Sequence, residues 1–342
     1  MLEQQIEEFK PRYAILIDET AYNRLKSRYT GKTKILGGRQ AFIESAEIDD
    51  IDLIVTSMTG FAGLEPTIKA INAGKKIALA NKETLVVAGE IISKLAAKNQ
   101  ILPVDSEHGA IFQCLHNEDP KSVEKLILTA SGGPFRGKSR DELKNATIDQ
   151  VLHHPTWRMG KKITVDSATL VNKGFEVIEA HWLYNVDYEN IQVVVHPQSI
   201  IHSMVEFRDG SILAQLATTD MRIPIQYALN FPERIESSLP RLDFWQMKDL
   251  SFEKPDSETF RGLKIAYDVG KSGGTLPTTF NAANEIAVAA FLNGQIKFLQ
   301  IYDIIEQTIS NRSNKTQPTL EDILNEDFES RKFAESILKK LK

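Results

Sequence analysis

Several features that mark other protein classes are scarce in this sequence of 342 residues. Its only cysteine is Cys114, so no internal disulfide can form, which fits a reducing cytoplasm. No apolar run approaches the ~18 residues needed to cross a bilayer, and residues 1–10 lack the form of a signal peptide. The net charge of −5 gives no general attraction to nucleic acid or to an anionic membrane. A hydrophobic content of 42% is enough for the cores of two or three domains.

Glycine is absent from the first thirty residues, and the first one is Gly31. The region up to Asp105 nevertheless alternates short apolar runs with amphipathic segments, which predicts a doubly wound α/β domain. We expect residues 1–12 to form a helix that leads into the first strand. The predicted strands are 13–17, 34–36, 53–57, 76–79 and 101–104, and the predicted helices are 22–29, 40–46, 64–73 and 85–98.

The remaining chain divides into three further parts. Residues 106–230 mix helices with strands at 126–130, 191–195, 199–207 and 211–217, and Asp209-Gly210 is typical of a hairpin turn. Residues 231–256 contain several prolines and little periodicity, which indicates a linker. Residues 257–342 show helical patterns and predict a C-terminal helical bundle.

Residues 166–184 predict one amphipathic helix with an unusual polar face. Asp166 or Ser167 is a suitable N-cap, and Asn172, Lys173 and Glu176 are neighbours within the following turns. Free backbone N–H groups at a helix start favour an anion such as phosphate. The alternative is an ordinary helix whose polar face is solvated.

A metal site is suggested by carboxylates on two segments. Asp105 and Glu107 follow a predicted strand and, in an extended segment, would point the same way. Glu176 can complete a three-carboxylate site, which suits Mg²⁺ or Mn²⁺ better than zinc, with Co²⁺ as a further option. The alternative is that Asp105 to Glu107 are a helix N-cap and an acidic first turn.

Two loops add further polar groups. Ser131, with Gly132 and Gly133, follows a predicted strand and can present a hydroxyl and backbone N–H groups to a phosphate. Residues 153–160 include His154 and Trp157 and are bounded by proline and glycine, as expected of a mobile flap. A plain strand-to-loop turn and a surface loop with a packed tryptophan are the ordinary explanations.

Six motifs in order resemble the 1-deoxy-D-xylulose 5-phosphate reductoisomerase family, from about Lys10 onward. They are A-L-A-N-K-E-T-L-V at 78–86, L-P-V-D-S-E-H at 102–108, T-A-S-G-G-P-F-R at 129–136, H-P-T-W-R-M-G-K-K-I-T-V-D-S-A-T at 154–169, N-K-G-F-E-V-I-E-A at 172–180 and H-P-Q-S-I-I-H-S-M-V-E-F at 196–207.

The resemblance implies a Rossmann-like NADPH domain over residues 1–105, an α+β catalytic domain over 106–230 with a dimerising sheet and a flap at 153–160, a linker over 231–256 and a helical domain over 257–342. It implies conversion of 1-deoxy-D-xylulose 5-phosphate to 2-C-methyl-D-erythritol 4-phosphate, in the non-mevalonate route to isoprenoids, by a homodimer that uses NADPH and a divalent metal.

The resemblance also assigns site residues. The metal ligands are Asp105, Glu107 and Glu176; the catalytic residues are Lys82, Glu107, Lys173 and Glu176; the cofactor residues are Asn81, Glu83 and Gly160; the substrate residues are Lys82, Ser106, Ser131, His154, Trp157, Ser167, Asn172, Lys173 and Glu176. We expect His196 to be a core histidine outside the site.

One feature departs from the family pattern. Family members open with a strand and a G-x-T-G-S-I-G type of turn that holds the cofactor pyrophosphate, and no such segment is found here. We therefore expect an incomplete nucleotide domain that holds NADPH poorly, and an upstream plastid transit segment would lie outside this sequence. Two alternatives follow, a metal-dependent sugar-phosphate isomerase or aldolase without a redox step, and a catalytically silent subunit.

Overall fold

The computed structural model describes residues 1–341. Its first region alternates helices and strands, and the strands lie within one or two residues of their predicted positions. The elements are α1 Leu2–Phe9, β1 Tyr13–Leu16, α2 Glu19–Lys26, β2 Lys34–Gly37, α3 Arg39–Glu44, β3 Leu53–Thr56, α4 Leu64–Asn72, β4 Lys76–Leu79, α5 Glu83–Leu95 and β5 Ile101–Pro103. Helix α2 begins earlier than predicted because Asp18 caps it, accepting a hydrogen bond from the backbone N–H of Ala21 at 2.6 Å.

The parallel strands of this region form two sheets rather than one. Strand β1 pairs with β2, and the second sheet has the order β3-β4-β5. In the common doubly wound order 3-2-1-4-5-6, these strands fill every position except the central one. A cleft of about 510 Å³ lies there, lined by residues of β1 and β3.

The middle region carries a four-stranded sheet and most of the helices near the candidate site. Its elements are α6 Ser106–Cys114, β6 Val123–Ala130, α7 Arg140–Leu143, α8 Ile148–Leu152, α9 Lys161–Ala168, α10 Val171–Tyr184, β7 Ile191–Val195, β8 Ile201–Phe207, β9 Ile212–Leu216 and α11 Arg222–Asn230. The sheet has the order β7-β6-β8-β9, with β6 and β7 parallel and the other pairs antiparallel. The predicted hairpin turn at Asp209-Gly210 joins β8 to β9.

The prediction of a single helix over residues 166–184 is wrong. Two helices, α9 and α10, meet at Leu170, whose backbone is left-handed with φ +57°. A left-handed residue ends the run of α-helical hydrogen bonds, so the chain turns between the two helices. Ser167 therefore lies in the last turn of α9 and not at a helix start.

The C-terminal region is helical, as predicted, with α12 Gly262–Ser272, α13 Leu276–Leu292, α14 Gln300–Ser310 and α15 Leu320–Leu341. Helix α12 packs closely on α10 at Gly174, where a Cβ would lie 2.5 Å from the Cβ of Ala266. One hydrophobic core joins this bundle to the middle region, and Phe175 and Phe280 meet in it with ring centroids 5.0 Å apart. The boundaries given above for the domains stay a prediction. Among residues 1–341, none of the helices combines the length and apolar character needed to cross a membrane.

Candidate active site

A cavity of about 260 Å³ lies where helices α6, α9 and α10 meet the ends of β5 and β6. Its lining includes every residue that the sequence assigned to metal or substrate. These residues are Lys82, Asp105, Ser106, Glu107, Ser131, His154, Trp157, Ser167, Asn172, Lys173 and Glu176. The residues named from five of the six motifs thus share one pocket.

Three carboxylates converge on one side of the pocket. Ligand oxygens of Asp105, Glu107 and Glu176 all lie within 4.8 Å of one another. The extended geometry predicted for residues 105–107 is wrong, because α6 begins at Ser106 and Asp105 caps it, accepting a hydrogen bond from the Ser106 backbone N–H at 3.0 Å. Helix capping and convergence with Glu176 therefore occur together rather than as alternatives.

Two buried lysines are interleaved with the carboxylates. The Lys82 ammonium contacts Asp105 and lies 3.1 Å from Glu176 Oε1, and it donates to Asn172 Oδ1 at 3.0 Å. The Lys173 ammonium lies 2.7 Å from Glu107 Oε1 and also contacts Glu176. The pocket thus holds three carboxylates and two ammonium groups, of which Lys82, Lys173 and Glu176 are buried.

Burial and charge act in opposite directions on these groups. Burial disfavours the ionised form of Asp105, but the Lys82 ammonium, His108 and the Lys173 ammonium together outweigh it and lower the pKa of Asp105 to about 2. Burial, followed by repulsion from Glu107, raises the pKa of Glu176 to about 7. Burial lowers the pKa of Lys82, yet the surrounding carboxylates raise it well above its usual value. Hard oxygen ligands with this excess of negative charge are the donor set that fits Mg²⁺ or Mn²⁺.

A histidine and a fourth carboxylate lie behind the triad, and the sequence reasoning missed both. The ring Nε2 of His108 is 2.9 Å from the backbone carbonyl oxygen of Glu176, and its Nδ1 is 3.2 Å from Glu179 Oε2. Burial lowers the pKa of His108 to about 4 and raises that of Glu179 well above its usual value. The sequence signal that could have found them is their spacing. His108 follows Asp105 by three helical positions, and Glu179 follows Glu176 by three.

The opposite side of the pocket contains the Ser131 loop. The Ser131 hydroxyl is 3.0 Å from His154 Nε2 and accepts a hydrogen bond from the Gly133 backbone N–H at 3.2 Å. His154 Nδ1 accepts from the backbone N–H groups of Thr156 and Trp157, so Nε2 carries the proton and donates to Ser131.

Gly133 brings this loop against helix α9. It has φ +69°, and a Cβ there would lie only 2.8 Å from the Ser167 carbonyl oxygen. Although Ser167 is not at a helix start, the loop therefore places it beside Ser131. Asn172 and Lys173, predicted to lie one to two turns after a helix start at Ser167, lie instead in the first turn of α10.

The flap residues cover this side of the pocket. Residues 153–160 contain no helix or strand, and the Trp157 ring lies 6.4 Å from the ring of His202. His202 lines the cavity, whereas His196 is fully buried, with Nδ1 2.9 Å from the Ser251 carbonyl oxygen.

The cofactor candidates do not line the cavity but flank it. Asn81 donates through Nδ2 to the Gly60 carbonyl at 2.8 Å and accepts from the Thr84 backbone N–H at 3.0 Å, which fixes the loop after β3. Glu83 pairs with Lys162 at 2.8 Å, and Gly160 is the N-cap of α9. Asn81 and Glu83 border Lys82 at the carboxyl edge of β4, where open α/β sheets bind ligands.

Comparison with known proteins gives a consistent result. Family models match residues 1–89 as 1-deoxy-D-xylulose 5-phosphate reductoisomerase, 101–184 as its C-terminal domain, and 216–333 as DXP reductoisomerase C-terminal domain. Reductoisomerases from Clostridium kluyveri and Clostridium acetobutylicum are 55% and 56% identical over 333 residues, each covering 96% of this chain and 86% of the relative.

Solved structures agree with the sequence relatives. The reductoisomerase from Zymomonas mobilis in complex with NADPH superimposes with a TM-score of 0.91 at 42% identity, covering 98% of this chain and 88% of that one. A DOX-P reductoisomerase with NADPH, fosmidomycin and magnesium gives 0.91 at 41% identity, covering 99% and 89%. The chain belongs to the 1-deoxy-D-xylulose 5-phosphate reductoisomerase family.

Proposed function

We propose that this chain catalyses the isomerisation and NADPH-dependent reduction of 1-deoxy-D-xylulose 5-phosphate to 2-C-methyl-D-erythritol 4-phosphate, a step in isoprenoid precursor biosynthesis. The observation that carries the proposal is the single pocket that contains both the carboxylate triad and the Ser131 and His154 pair. A ketose phosphate requires a binding site with a metal-binding side and an anion-binding side.

Asp105, Glu107 and Glu176 would hold a divalent cation. Their oxygens are close enough together to share one ion; Glu176 is buried, and the side chains of Asp105 and Glu107 are only 16% and 19% exposed. When bound, Mg²⁺ or Mn²⁺ supplies Lewis-acid polarisation of the substrate carbonyl. Lys82 and Lys173 reach the same carboxylates from inside the pocket, so we assign them to the substrate oxygens nearest the reacting carbons.

Ser131, His154, Ser167 and Asn172 are our candidates for the phosphate and the hydroxyl groups near it. Ser131 and His154 are already held together, so their donors are oriented before the substrate binds. Ser106 lies between two metal ligands and completes the substrate-facing wall. We assign Trp157 to covering the substrate and excluding water.

The cofactor side is proposed at Asn81, Glu83 and Gly160. When bound, NADPH supplies the hydride that reduces the aldehyde formed by isomerisation. Asn81 fixes the loop of residues 58–60 at the carboxyl edge of the sheet, and Gly160 joins the flap to α9, so these residues bring cofactor and flap together.

We further propose a cytoplasmic homodimer that pairs through strand β9. Strand β9 is an edge of the four-stranded sheet, and Ile212 and Leu213 on it are 51% and 44% exposed. Exposed apolar edge strands are normally paired or covered. The single cysteine, Cys114, is buried and free, which is compatible with a reducing compartment. Analytical ultracentrifugation should show a dimer that Ile212→Lys weakens, and a monomeric unaltered chain would contradict the proposal.

The test of the function is NADPH oxidation by the unaltered chain with 1-deoxy-D-xylulose 5-phosphate and Mn²⁺. We expect oxidation that requires both substrate and metal, with the branched product identified by mass spectrometry and NMR. Consumption of substrate without NADPH oxidation would instead indicate an isomerase or aldolase without a redox step. No consumption, despite binding of fosmidomycin, would indicate a silent subunit.

A further inference from the structure

Lys162 occupies an electrostatically unfavourable position at the end of the flap. It lies in the first turn of α9, two residues after Gly160, and this turn contains no acidic residue. The positive end of the helix dipole disfavours a cation there, typically by ~0.3–1 kcal/mol. The helix dipole therefore does not explain why a lysine is present.

The Lys162 ammonium joins two regions of the chain. It lies 2.8 Å from Glu83 Oε1, in the first turn of α5, and 2.8 Å from Asp166 Oδ2 on its own helix. The Lys162 side chain is 34% exposed, whereas those of Glu83 and Asp166 are 15% and 2% exposed. The ammonium is thus shared by two carboxylates that solvent reaches poorly.

Asp166 extends the connection to a third region. Its Oδ1 accepts a hydrogen bond from Asn284 Nδ2 on α13 at 2.9 Å. Helix α9 is therefore fixed to the helical bundle through Asp166 and to the edge of the nucleotide region through Lys162 and Glu83. The contact between Lys162 and Glu83 ties the flap end to the cofactor side.

We propose that Lys162 is a positioning residue that fixes the end of the flap, at Gly160, relative to the cofactor side of the active site. This rests on the function proposed above. Lys162 does not line the cavity; it acts through α9, on which the orientation of residues 153–160 depends. Without the ion pair, Trp157 and His154 would be less well placed over the substrate, and a small misplacement costs much of the binding.

Lys162→Met is the direct test, with Lys162→Arg as the conservative variant. We expect Lys162→Met to raise the KM for substrate about tenfold or more, with a smaller change in kcat. It should also weaken fosmidomycin binding in the presence of Mn²⁺ and reduce the accompanying change in tryptophan fluorescence. Trp157→Phe identifies the part of that change that comes from the flap. Lys162→Arg should restore binding to within about threefold, because the guanidinium can also bridge two carboxylates.

Arg312→Met is a matched control. It removes a partly exposed cation that pairs with Glu326 at 2.8 Å, away from the flap. We expect this variant to lower the melting temperature without changing KM or the fluorescence signal. If Lys162→Met behaves like the control, the ion pair is only structural and the proposal is overturned.

Two provisions keep the test decisive. If Lys162→Met does not fold, Lys162→Gln is measured in its place, and unchanged fosmidomycin affinity in that variant overturns the proposal. The fluorescence measurement needs no turnover, so an unaltered chain that binds fosmidomycin but does not oxidise NADPH refutes the proposed function and leaves the role of Lys162 open to this same test.

Discussion

The catalytic pocket is lined by charged side chains, whereas the cleft between β1 and β3 is bordered by the edges of two strands. In the pocket, charged side chains such as Lys82 and Glu176 already pair with one another before any ligand binds. In the cleft, the strand edges of β1 and β3 that face the central position have no strand between them in the part of the chain described, and Val55 of β3 is 49% exposed. A site made of side chains on packed helices can be complete while a site made of sheet backbone is not.

This difference shows which part of the fold each half of the active site depends on, the metal and phosphate side and the cofactor side. The residues that we propose for metal and phosphate are carried by α6, α9, α10 and the Ser131 loop, all of which pack into the core shared with the C-terminal helices. The cofactor side depends on the carboxyl edge of a parallel sheet, where the turn after the central strand normally holds the pyrophosphate. We therefore expect the two halves to respond to different perturbations.

The largest effect should come from Glu176→Gln. The change keeps the shape of the side chain but removes the charge that Lys82 and Lys173 share and that a metal requires. We expect kcat/KM to fall by about three orders of magnitude or more. Glu326→Gln is the control, because Glu326 is also a buried carboxylate but pairs with Arg312 outside the pocket. Comparable losses in both variants would show that general destabilisation, and not the site, is responsible.

Lys173→Ala should have the next largest effect. The residue is 4% exposed, so its ammonium acts in a poorly solvated space, and we expect fosmidomycin binding to weaken by ~2–4 kcal/mol. Calorimetry at fixed Mn²⁺ measures this, with exposed Lys161→Ala as the control. A loss under ~1 kcal/mol, as small as that of an exposed ion pair, would remove Lys173 from the ligand site.

Filling the cleft between β1 and β3 should change the affinity for NADPH alone. A version extended before Met1 by an apolar strand and a glycine-rich turn should bind NADPH about tenfold tighter or more than the chain as given, because the turn supplies backbone N–H groups to the pyrophosphate. Fosmidomycin affinity should not change. The same extension with alanines in the turn is the control, and circular dichroism checks that each version is folded. Equal, tight NADPH binding by all three versions would show that the cleft is irrelevant to the cofactor.

The sequence predicted some features better than others for physical reasons. Short apolar runs located the strands because strands of a parallel sheet are normally buried on both faces, as Ile77, Ala78 and Leu79 of β4 are. The convergence of Asp105 with Glu176 came from the family motifs, since no local pattern brings residues that far apart into contact. The break at Leu170 was not predictable, because a bulky residue with positive φ is rare and the surrounding packing imposes it.

The gap in the sheet shows the same limit at a larger scale. The alternation of strands and helices predicted the class of fold, but the order of strands is a tertiary property. The absence of an early glycine-rich turn was visible in the sequence, whereas the separation of β1 from β3 required the structure.

The most direct test of the account is Mn²⁺ binding by the unaltered chain and by Asp105→Asn, measured by calorimetry without NADPH. Asparagine is also a good N-cap, so α6 should remain intact while one charged ligand is lost. Asp18→Asn, which makes the same change at the cap of α2, is the matched control. We predict that Asp105→Asn weakens Mn²⁺ binding at least about tenfold while the control does not. Equal Mn²⁺ affinity in all three proteins would contradict the assignment of the carboxylate triad as the metal site.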